Sequence, residues 1–251
     1  MRYYIIAGEA SGDLHGSNLI KEIYKLDSNA KIKAWGGDKM QNAGAKIVKH
    51  YKELSFMGFY EVLKNLNAIL KNIEFCKKDI LNFKPDKIIF IDYPGFNMRI
   101  AKWAKKNKFN TNYYIAPQIW AWNEKRINNI KHNIDNLYVI LPFEKKYFEQ
   151  KHNFAVKFLG HPLLDSIEQY KKSKKEDFFI KHKLSNKKEI ISILPGSRKQ
   201  EIKKILGTML KVIDHFPNYQ FVIAGAPNIN LNFYQNLIKN KNVSIIKNET
   251  Y

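Results

Sequence analysis

Cysteine is almost absent from this sequence, which has only Cys76 among its 251 residues. An internal disulfide is therefore excluded, as is typical of proteins from a reducing cytoplasm. Long apolar runs are also lacking, since none approaches the ~18 residues of a membrane-spanning helix. The chain opens on an apolar, β-favouring segment without the basic region or cleavage site of a signal peptide. We therefore expect a cytoplasmic protein without a transmembrane helix.

Arginine is scarce, although basic residues are abundant. Only four of the 43 basic residues are arginine, and the formal net charge is +20. Nucleic-acid sites favour arginine for bidentate and stacking contacts, and no aromatic RNA-binding signature is present, so we predict no nucleic-acid partner. A lysine-rich surface instead suits an anionic partner, either a membrane face or a phosphorylated substrate. Histidine, cysteine and acidic residues form no cluster with metal-ligand spacing, which predicts no metal site.

What the sequence does have is a regular alternation of apolar strand segments with amphipathic helical segments. This pattern predicts an α/β fold with parallel sheets and helical crossovers, because buried parallel strands are near-continuous apolar runs. Strands are predicted at residues 3–7, 31–35, 87–91, 112–115, 136–140, 155–158, 190–194, 220–223 and 243–246. Helices are predicted at residues 14–26, 61–83, 97–106, 124–132, 143–150, 200–216 and 232–239.

A charged segment interrupts this alternation after residue 165. We predict a Rossmann-like domain at residues 1–165, a charged linker at 166–189 and a second Rossmann-like domain at 190–251. The second domain has only about three strands, which make a poor independent core because a domain usually has about 100–200 residues. We therefore expect the second domain to be incomplete.

The first predicted strand is followed by a glycine turn that carries two acids, Glu9 and Asp13, before a predicted helix. A strand, a tight turn and a helix N-terminus form the ligand-binding crevice of parallel α/β sheets. A dinucleotide-binding turn carries no acid there, because it must approach a pyrophosphate. The acids therefore favour a neutral, hydroxyl-bearing ligand, which His15 could also reach. Alternatively, both acids serve only as helix caps, since Asp and Ser are favoured at a helix start.

An acid also ends the third predicted strand, where Asp92 precedes a Pro-Gly turn and Asn97. The carboxyl end of a parallel strand lies at the ligand-binding edge of the sheet. A buried carboxylate is costly unless it is paired or functional, and burial can raise its pKa towards that of a usable base. Asp92 is therefore either a functional acid or a cap of the turn, and its position alone does not decide between them.

Two of the four tryptophans, Trp120 and Trp122, lie within three residues of each other on a predicted loop, and Arg126 follows them. Core packing would explain one such tryptophan. Two of them on a loop that starts with proline, beside an arginine, are typical of the lining of a sugar or lipid site.

A second glycine turn follows the predicted strand at residues 190–194 and contains Gly196, Ser197 and Arg198. At a helix N-terminus, the helix dipole, free backbone N–H groups, a hydroxyl and a guanidinium can converge on a diphosphate. Glu201 is expected to orient Arg198, or else to form only an exposed i, i+3 pair with it.

Residues 56–71 carry apolar side chains at helical spacing, with lysines on the opposite face. The apolar positions are Met57, just before the helix, and then Phe59, Val62, Leu63, Leu66, Ile69 and Leu70. A core-facing helix is the simpler interpretation. Docking to a membrane interface stays open, because a large hydrophobic residue precedes the helix and lysines flank it.

Seven strings of this sequence resemble, in order, the lipid-A-disaccharide synthase family. They lie at residues 8–16, 57–63, 91–97, 113–126, 141–144, 160–162 and 194–201. The Gly-Glu-Ala-Ser-Gly-Asp and Ala-Pro-Gln-Ile-Trp-Ala-Trp strings are highly specific together. The resemblance implies a GT-B fold of two Rossmann-like domains and an inverting, metal-independent glycosyltransferase without a cofactor. That family condenses UDP-2,3-diacylglucosamine with 2,3-diacylglucosamine 1-phosphate (lipid X), and its products are a β-1,6-linked disaccharide and UDP.

The resemblance also implies roles for individual residues. Asp92 matches the base for the attacking 6-hydroxyl, while Glu9 and His15 would bind the acceptor or assist the reaction. Further substrate contacts would come from Ser11, Asp13, Asn97, Gln118, Trp120, Trp122 and Arg126. Departing UDP would be held by Gly196, Ser197, Arg198 and Glu201. A basic amphipathic face with Met57, Phe59, Val62, Leu63, Leu66, Ile69 and Leu70 would hold the protein on the cytoplasmic face of the inner membrane, and a homodimer is a further expectation.

Two departures from the family pattern bear on activity. Gly95 stands where many relatives carry a second Asp, and the family's Ser-Gly-Thr-Ala-Thr-Leu-Glu donor motif is absent. We therefore predict that residues 1–251 alone transfer poorly or not at all. Two alternatives stay open: another GT-B enzyme such as a UDP-sugar epimerase, which needs no lipid acceptor, and a truncated, non-catalytic protein that binds acyl sugars or membranes.

Overall fold

The computed structural model describes residues 1–54, 66–172, 178–227, 229–238 and 242–247, apart from the side chains of residues 66 and 169–172. The chain divides into two compact units, Met1–Leu164 and Asp165–Tyr251. The first unit contains a seven-stranded sheet and the second a three-stranded sheet. All strand pairs within these two sheets are parallel.

The strands of the first unit form one sheet around a topological switch point. They are β1 (Arg2–Ala7), β2 (Lys31–Gly36), β3 (Lys46–His50), β4 (Lys87–Ile91), β5 (Thr111–Tyr114), β6 (Asn136–Val139) and β7 (Lys157–Phe158). Their order in the sheet is β3-β2-β1-β4-β5-β6-β7. The sheet grows in one direction from β1 to β3 and in the other from β4 to β7, so the order reverses between β1 and β4.

Helices cover both faces of this sheet. The helices of the first unit are α1 (Ala10–Leu26), α2 (Asp38–Asn42), α3 (Leu66–Phe83), α4 (Pro94–Lys106), α5 (Ile119–Trp122), α6 (Ile127–Asn133) and α7 (Pro142–Lys146), with 3-10 turns at Tyr51–Glu53 and Glu124–Arg126 and a π turn at Tyr147–Lys151. Successive residues of β1 point to opposite faces, so Ile5 packs with α1 and α2 while Tyr4 and Ile6 pack with α3, α4 and α6. Cys76 belongs to the hydrophobic core on the Tyr4 and Ile6 face of the sheet, where burial raises the pKa of its thiol.

Two glycines allow α1 to lie close to the sheet. A Cβ at Gly12 would lie 2.9 Å from the Cβ of Ala7, and one at Gly16 would lie 2.8 Å from the Met40 sulfur. Both distances are at or below the closest approach that a side-chain carbon makes to such atoms, so the close packing of α1 favours glycine at these two positions.

The second unit has a smaller parallel sheet. It contains β8 (Ile190–Ile193), β9 (Gln220–Gly225) and β10 (Val243–Lys247), in the order β10-β9-β8. Helices α10 (Lys199–Met209) and α11 (Leu231–Ile238) contribute Ile202, Leu206 and Tyr234 to its core. A 3-10 turn at Leu210–His215 follows α10.

The predicted α/β class with parallel sheets is confirmed. The structure adds β3, which the pattern did not predict because three of its five residues are basic and it lies half-buried at the sheet edge. Helix α4 begins at Pro94 and not at residue 97, since proline is favoured in the first turn of a helix. The segment predicted as a linker contains most of α8 (Leu163–Lys172) and all of α9 (Phe178–Lys181).

Candidate active site

The carboxyl ends of β1 and β4 lie side by side at the switch point of the first sheet. Ala7, the last residue of β1, pairs with Ile91, the last residue of β4, so the turns that follow the two strands are neighbours. Ligands of open α/β sheets usually bind at such a point. The structure thus brings Glu9 and Asp92, which come from distant segments of the sequence, to adjacent strand ends.

Asp13, from the first turn, is an internal anchor. It is 3% exposed, and its Oδ1 accepts hydrogen bonds from the backbone N–H groups of Gly37 (2.7 Å) and Met40 (3.0 Å). Its Oδ2 accepts a third from the N–H of Lys39 (3.1 Å). Asp13 therefore caps α2, a different helix from the one it belongs to, and ties the first turn to the loop after β2.

The other polar residues of the first turn differ in exposure. Glu9 is half-buried and is the N-cap residue of α1, but its side chain makes no capping hydrogen bond there. Of the two acids, Glu9 thus occupies an N-cap position without a capping hydrogen bond from its side chain, whereas Asp13 does cap a helix, α2. Ser11 is exposed and His15 is buried in α1.

The turn after β4 has a strained backbone that neighbouring side chains hold in place. Asp92 (φ 45°) and Tyr93 (φ 50°) are both left-handed. The Asp92 carbonyl oxygen accepts hydrogen bonds from Asn97 Nδ2 (2.7 Å) and Tyr113 Oη (2.7 Å). Asn97 is fully buried, and its Nδ2 also lies 3.4 Å from the Ile6 carbonyl oxygen. Asn97, predicted to contact substrate, thus contacts the backbone of the turn from inside the protein.

The ring of Tyr93, in the turn after β4, lies against Gly8, in the turn after β1. A Cβ at Gly8 would lie 2.4 Å from Tyr93 Cγ, so the tyrosine ring occupies the space of a side chain at Gly8. Burial raises the pKa of Tyr93, and the nearby Glu9 carboxylate raises it further. Burial also raises the pKa of Asp92, while a hydrogen bond from the Tyr93 N–H opposes this increase. A carboxyl group with a raised pKa at a ligand-binding edge suits a general base.

The loop after β5 presents two tryptophans and a cation to solvent. Trp122 is 70% exposed, and the guanidinium carbon of Arg126 lies 4.3 Å from the centroid of its ring. Trp120 is 37% exposed, and Phe143 packs edge-on against it with 4.9 Å between ring centroids. This exposure excludes core packing as the role of Trp122 and leaves one side of Trp120 available to a ligand.

A buried carboxylate fixes the Trp120 indole. Glu144 is 1% exposed, and its Oε1 accepts a hydrogen bond from Trp120 Nε1 at 3.1 Å. Its Oε2 accepts hydrogen bonds from the backbone N–H groups of Ile140 (3.0 Å) and Leu141 (2.8 Å). Glu144 therefore joins the loop after β6 to the aromatic loop after β5.

Three of the non-glycine residues with a left-handed backbone lie at these neighbouring strand ends. Besides Asp92 and Tyr93 after β4, Ile115 after β5 has φ 64°, which is a genuine outlier for a β-branched residue. Such strain persists only where the surroundings fix the backbone, and it is common at functional sites. Gln118, which follows Ile115 in the same loop, is exposed.

In the second unit, the glycine turn after β8 already contains a carboxylate. Glu201 Oε2 lies 3.3 Å from the backbone nitrogens of Ser197 and Arg198, and Oε1 lies 3.4 Å from Arg198 Nη1. Gly196 is left-handed (φ 103°), and a Cβ there would lie 2.7 Å from Glu201 Oε2. The N–H groups that the sequence assigns to a diphosphate thus have a partner within the protein, which a bound diphosphate would have to replace.

Most of the predicted membrane face lies outside the described residues, namely Met57, Phe59, Val62, Leu63 and the side chain of Leu66. Ile69 packs against the core of the first unit, which corrects its assignment to the membrane face, whereas Leu70 is 53% exposed. Among the described residues, no helix is both long and apolar enough to cross a membrane. The same part of the chain contains no group of three or more His, Cys, Asp or Glu residues that could hold a metal ion.

Three residues that shape this site were not predicted: Tyr93, Tyr113 and Glu144. Each lies in or beside a string that carries the family resemblance, but neither spacing nor composition distinguishes it from its neighbours. Their contacts depend on which strands are adjacent in the sheet.

The family model described as lipid-A-disaccharide synthetase matches residues 3–249. The chain belongs to the lipid-A-disaccharide synthase family. Among curated members, the chain is 37% identical to the Trichlorobacter lovleyi synthase over 229 residues, covering 90% of this chain and 59% of the relative. It is 36% identical to synthase 1 of Legionella pneumophila over 250 residues, covering 97% of this chain and 64% of the relative. The chain thus spans about three fifths of the length of these family members.

Solved structures of similar fold include UDP-sugar enzymes. UDP-GlcNAc 2-epimerase from Neisseria meningitidis, bound to UDP-GlcNAc, matches with a TM-score of 0.67 at 16% identity, covering 100% of this chain and 73% of that one. The MnaA–UDP structure from S. aureus matches with a TM-score of 0.70 at 13% identity, covering 98% of this chain and 68% of that one. The GT-B fold expected from the family resemblance is confirmed.

Proposed function

We propose that the protein is a lipid-A-disaccharide synthase, which transfers 2,3-diacylglucosamine from UDP to the 6-hydroxyl of lipid X and forms the β-1,6-linked disaccharide 1-phosphate and UDP. The observation that carries this proposal is the placement of Asp92, with its raised pKa, beside the Glu9 turn at the switch point. The activity named for the curated relatives supports it. Because the chain spans about three fifths of those relatives, the proposal concerns the whole protein.

In the proposed reaction, Asp92 is the general base. Its carboxylate accepts the proton of the acceptor 6-hydroxyl while the hydroxyl oxygen attacks the anomeric carbon from the face opposite UDP, which inverts the configuration. A pKa raised by burial makes the carboxylate a better proton acceptor. Glu9, half-buried beside the Tyr93 ring, accepts a hydrogen bond from another hydroxyl of the acceptor sugar, and His15 assists in binding.

The second unit, which contains the predicted domain at residues 190–251, holds the leaving UDP in this proposal. Ser197, Arg198 and the N-terminus of α10 stabilise the negative charge that develops on the diphosphate, without a metal. The backbone N–H groups of Ser197 and Arg198 then donate to the diphosphate in place of the Glu201 carboxylate. That the N. meningitidis epimerase of similar fold binds UDP-GlcNAc supports a UDP-sugar as the donor.

The first unit, within the predicted domain at residues 1–165, holds the lipid acceptor. The exposed indoles of Trp120 and Trp122 suit acyl chains or sugar faces, Gln118 suits a hydroxyl, and the Arg126 guanidinium suits the 1-phosphate of lipid X. Both substrates are acylated, so we propose that the basic protein works peripherally on the cytoplasmic face of the inner membrane. A homodimer remains a prediction.

The test is disaccharide formation by the native protein with UDP-2,3-diacylglucosamine and lipid X, followed by mass spectrometry. Asp92→Asn should lower kcat at least about 100-fold, since general-base catalysis contributes about 10²–10⁴-fold. Asp86→Asn is the matched control, because Asp86 accepts a hydrogen bond from the Arg2 N–H at the opposite end of the same strand, and it should keep kcat. Wild-type kcat in Asp92→Asn would contradict the assignment of the base.

Two further outcomes would favour the alternatives. Conversion of UDP-GlcNAc to its 2-epimer without a lipid acceptor would identify an epimerase, the activity of the N. meningitidis structure. Liposome binding by the native protein without any release of UDP would identify a non-catalytic lipid-binding protein.

A further inference from the structure

The turn between β4 and α4 consists of two consecutive residues with a left-handed backbone, although neither is glycine. Asp92 has φ 45° and Tyr93 has φ 50°, a conformation that is unfavourable for residues with a side chain. Contacts in the folded protein must therefore hold this backbone. Because the carboxyl of Asp92 is attached to the strained backbone, the same contacts determine where the carboxyl lies.

One atom of this turn, the Asp92 carbonyl oxygen, receives two side-chain hydrogen bonds. Tyr113 Oη and Asn97 Nδ2 each donate to it at 2.7 Å. The backbone contact of the same residue is longer, since Asp92 N lies 3.4 Å from the Tyr114 carbonyl oxygen, beyond the usual hydrogen-bond distance. The two side chains, which we call the carbonyl clamp, thus make the shorter contacts to Asp92.

Both members of the carbonyl clamp are sealed from solvent. Tyr113 and Asn97 are each 0% exposed, so neither presents an atom to a substrate at the surface. They come from separate elements, β5 and α4, and both reach the Asp92 carbonyl oxygen from inside the protein. Burial raises the pKa of Tyr113, so its hydroxyl stays protonated and able to donate.

We propose that Tyr113 and Asn97 are positioning residues that fix the Asp92 carboxyl for proton transfer. This proposal rests on the proposed role of Asp92 as the base. The carbonyl clamp holds the strained turn, and the turn keeps the carboxyl in place and partly shielded from water. Without one donor, the turn relaxes, and the carboxyl moves away from the acceptor hydroxyl and becomes more hydrated.

The kinetic test is Tyr113→Phe in the native protein. We expect kcat to fall about 10- to 100-fold with KM changed by less than about threefold, since misplacing a catalytic group by about 1 Å costs on the order of 100-fold. Tyr4→Phe is the matched control, because Tyr4 is also 0% exposed on a strand, and its hydroxyl donates to Asp79 at 2.9 Å, away from the turn. Equal losses of kcat in the two variants would overturn the proposal.

The double variant Asp92→Asn/Tyr113→Phe separates the carbonyl clamp from the assignment of the base. If Tyr113 acts through the Asp92 carboxyl, adding Tyr113→Phe should lower the kcat of Asp92→Asn by less than about twofold. The same fold loss in both backgrounds would show that Tyr113 acts independently of Asp92. Wild-type kcat in Asp92→Asn alone would instead identify the base assignment as the error.

An NMR titration tests the carbonyl clamp without any turnover. The carboxyl signal of Asp92, assigned with Asp92→Asn, should titrate at a lower pH in Tyr113→Phe, because hydration removes part of the burial that raises its pKa. Tyr4→Phe should leave this pKa unchanged. Asn97→Ser, which removes the other donor, should also lower it and serves as the test if Tyr113→Phe does not fold. An unchanged Asp92 pKa in Tyr113→Phe, or in Asn97→Ser if Tyr113→Phe does not fold, would overturn the proposal.

Discussion

A strand, a glycine turn and a helix occur in this order in both units, and a carboxylate serves each turn differently. In the first unit, Asp13 is 3% exposed and accepts three N–H hydrogen bonds from Gly37 and the start of α2, 24 to 27 residues along the chain. In the second unit, the side chain of Glu201 is 40% exposed and accepts N–H hydrogen bonds from its own turn. The Asp13 carboxylate thus joins two segments that are distant in the sequence, whereas the Glu201 carboxylate bonds within its own turn.

This difference indicates that the site at the switch point of the first unit is preformed, whereas the N–H donors of the turn after β8 can exchange one acceptor for another. The turns of the first unit are held by buried contacts, so we expect them to keep their shape when a ligand binds. The N–H donors after β8 are satisfied by an exposed carboxylate, which water or a bound anion can replace at little cost. We therefore expect substitutions at the switch point to affect folding strongly, and substitutions in the turn after β8 to affect mainly ligand binding.

Gly8→Ala should cause the largest loss of stability, because the added methyl group would push apart the turn after β1 and the turn after β4. The new Cβ would lie 2.4 Å from Tyr93 Cγ, and Tyr93 cannot shift easily because its backbone is strained. We expect a loss of about 3 kcal/mol in the free energy of unfolding, at the upper end for overpacking. Urea unfolding followed by tryptophan fluorescence measures it, since all four tryptophans lie in the first unit.

Gly95→Ala is the control for Gly8→Ala. A Cβ at Gly95 would have no heavy atom within 4 Å, and alanine is favoured over glycine in a helix. This variant should unfold at the same urea concentration as the wild type or at a slightly higher one. Equal destabilisation of the two variants would show that the Tyr93 ring does not occupy the space beside Gly8.

Asp13→Asn should have the next largest effect. The amide keeps one oxygen acceptor, but its NH2 group then faces a backbone N–H donor that the carboxylate accepts in the wild type, such as that of Lys39. Leaving buried N–H groups unsatisfied costs about 1–3 kcal/mol, so we expect a loss of about 2 kcal/mol in the same urea experiment. A loss below about 0.5 kcal/mol would remove the contrast between the two capping carboxylates.

The sequence predicts the fold well where burial dominates. After their first, basic residue, strands β1 and β4 are apolar throughout, as expected for parallel strands that helices cover on both faces. Strand β3 escapes this rule, since an edge strand can be half-buried and rich in lysine. The positions of strands within a sheet are not encoded in such periodicity, so the adjacency of the Glu9 and Asp92 turns emerges only from the structure.

The residue types of the site are visible in the sequence, but their roles are not. Asp13 and Glu9 are both carboxylate residues of one short sequence string, yet one is buried as an anchor and the other is half-buried beside Tyr93. The left-handed backbone at Asp92 is not predictable because no glycine marks it. The hydrogen bond from Tyr113 depends on the register that pairs Tyr113 with Phe90 across two strands.

Asp92→Asn should act in the opposite direction on stability. Burial raises the pKa of Asp92 in the folded protein above its ordinary value. Between the unfolded and folded pKa values the native state binds more protons, so stability falls as pH rises and the full cost remains above the folded pKa. The asparagine variant should therefore be more stable than the wild type at neutral pH. This advantage should disappear as pH falls below 3.8, the ordinary pKa of the group.

Urea unfolding of wild type and Asp92→Asn across this pH range measures the difference. Asp86→Asn serves again as the control, because Asp86 directly precedes β4, at the end of the strand opposite Asp92, and accepts a hydrogen bond from the Arg2 N–H. A stability advantage of Asp92→Asn that is independent of pH would contradict the linkage to ionisation.

Glu201→Gln should have the smallest effect on stability and the most informative effect on binding. Because the side chain is 40% exposed, we expect it to cost less than about 1 kcal/mol, measured by hydrogen exchange of α10, since the second unit has no tryptophan. The glutamine no longer presents a negative charge to the Ser197 and Arg198 N–H groups. We therefore expect the Glu201→Gln variant of the native protein to bind UDP about three- to tenfold more tightly than the wild type in a calorimetric titration, because a competing exposed carboxylate contributes about 1 kcal/mol.

Two results of that titration would assign Glu201 differently. Tighter binding means that the carboxylate competes with the diphosphate for the same N–H donors, so the turn after β8 exchanges one anion for another. Tenfold weaker binding would mean that Glu201 contacts the nucleotide itself or holds Arg198 in the geometry that the nucleotide needs. In that case the turn after β8, like the turns of the first unit, would depend on its carboxylate for a preformed shape, and the contrast between the two units would not hold.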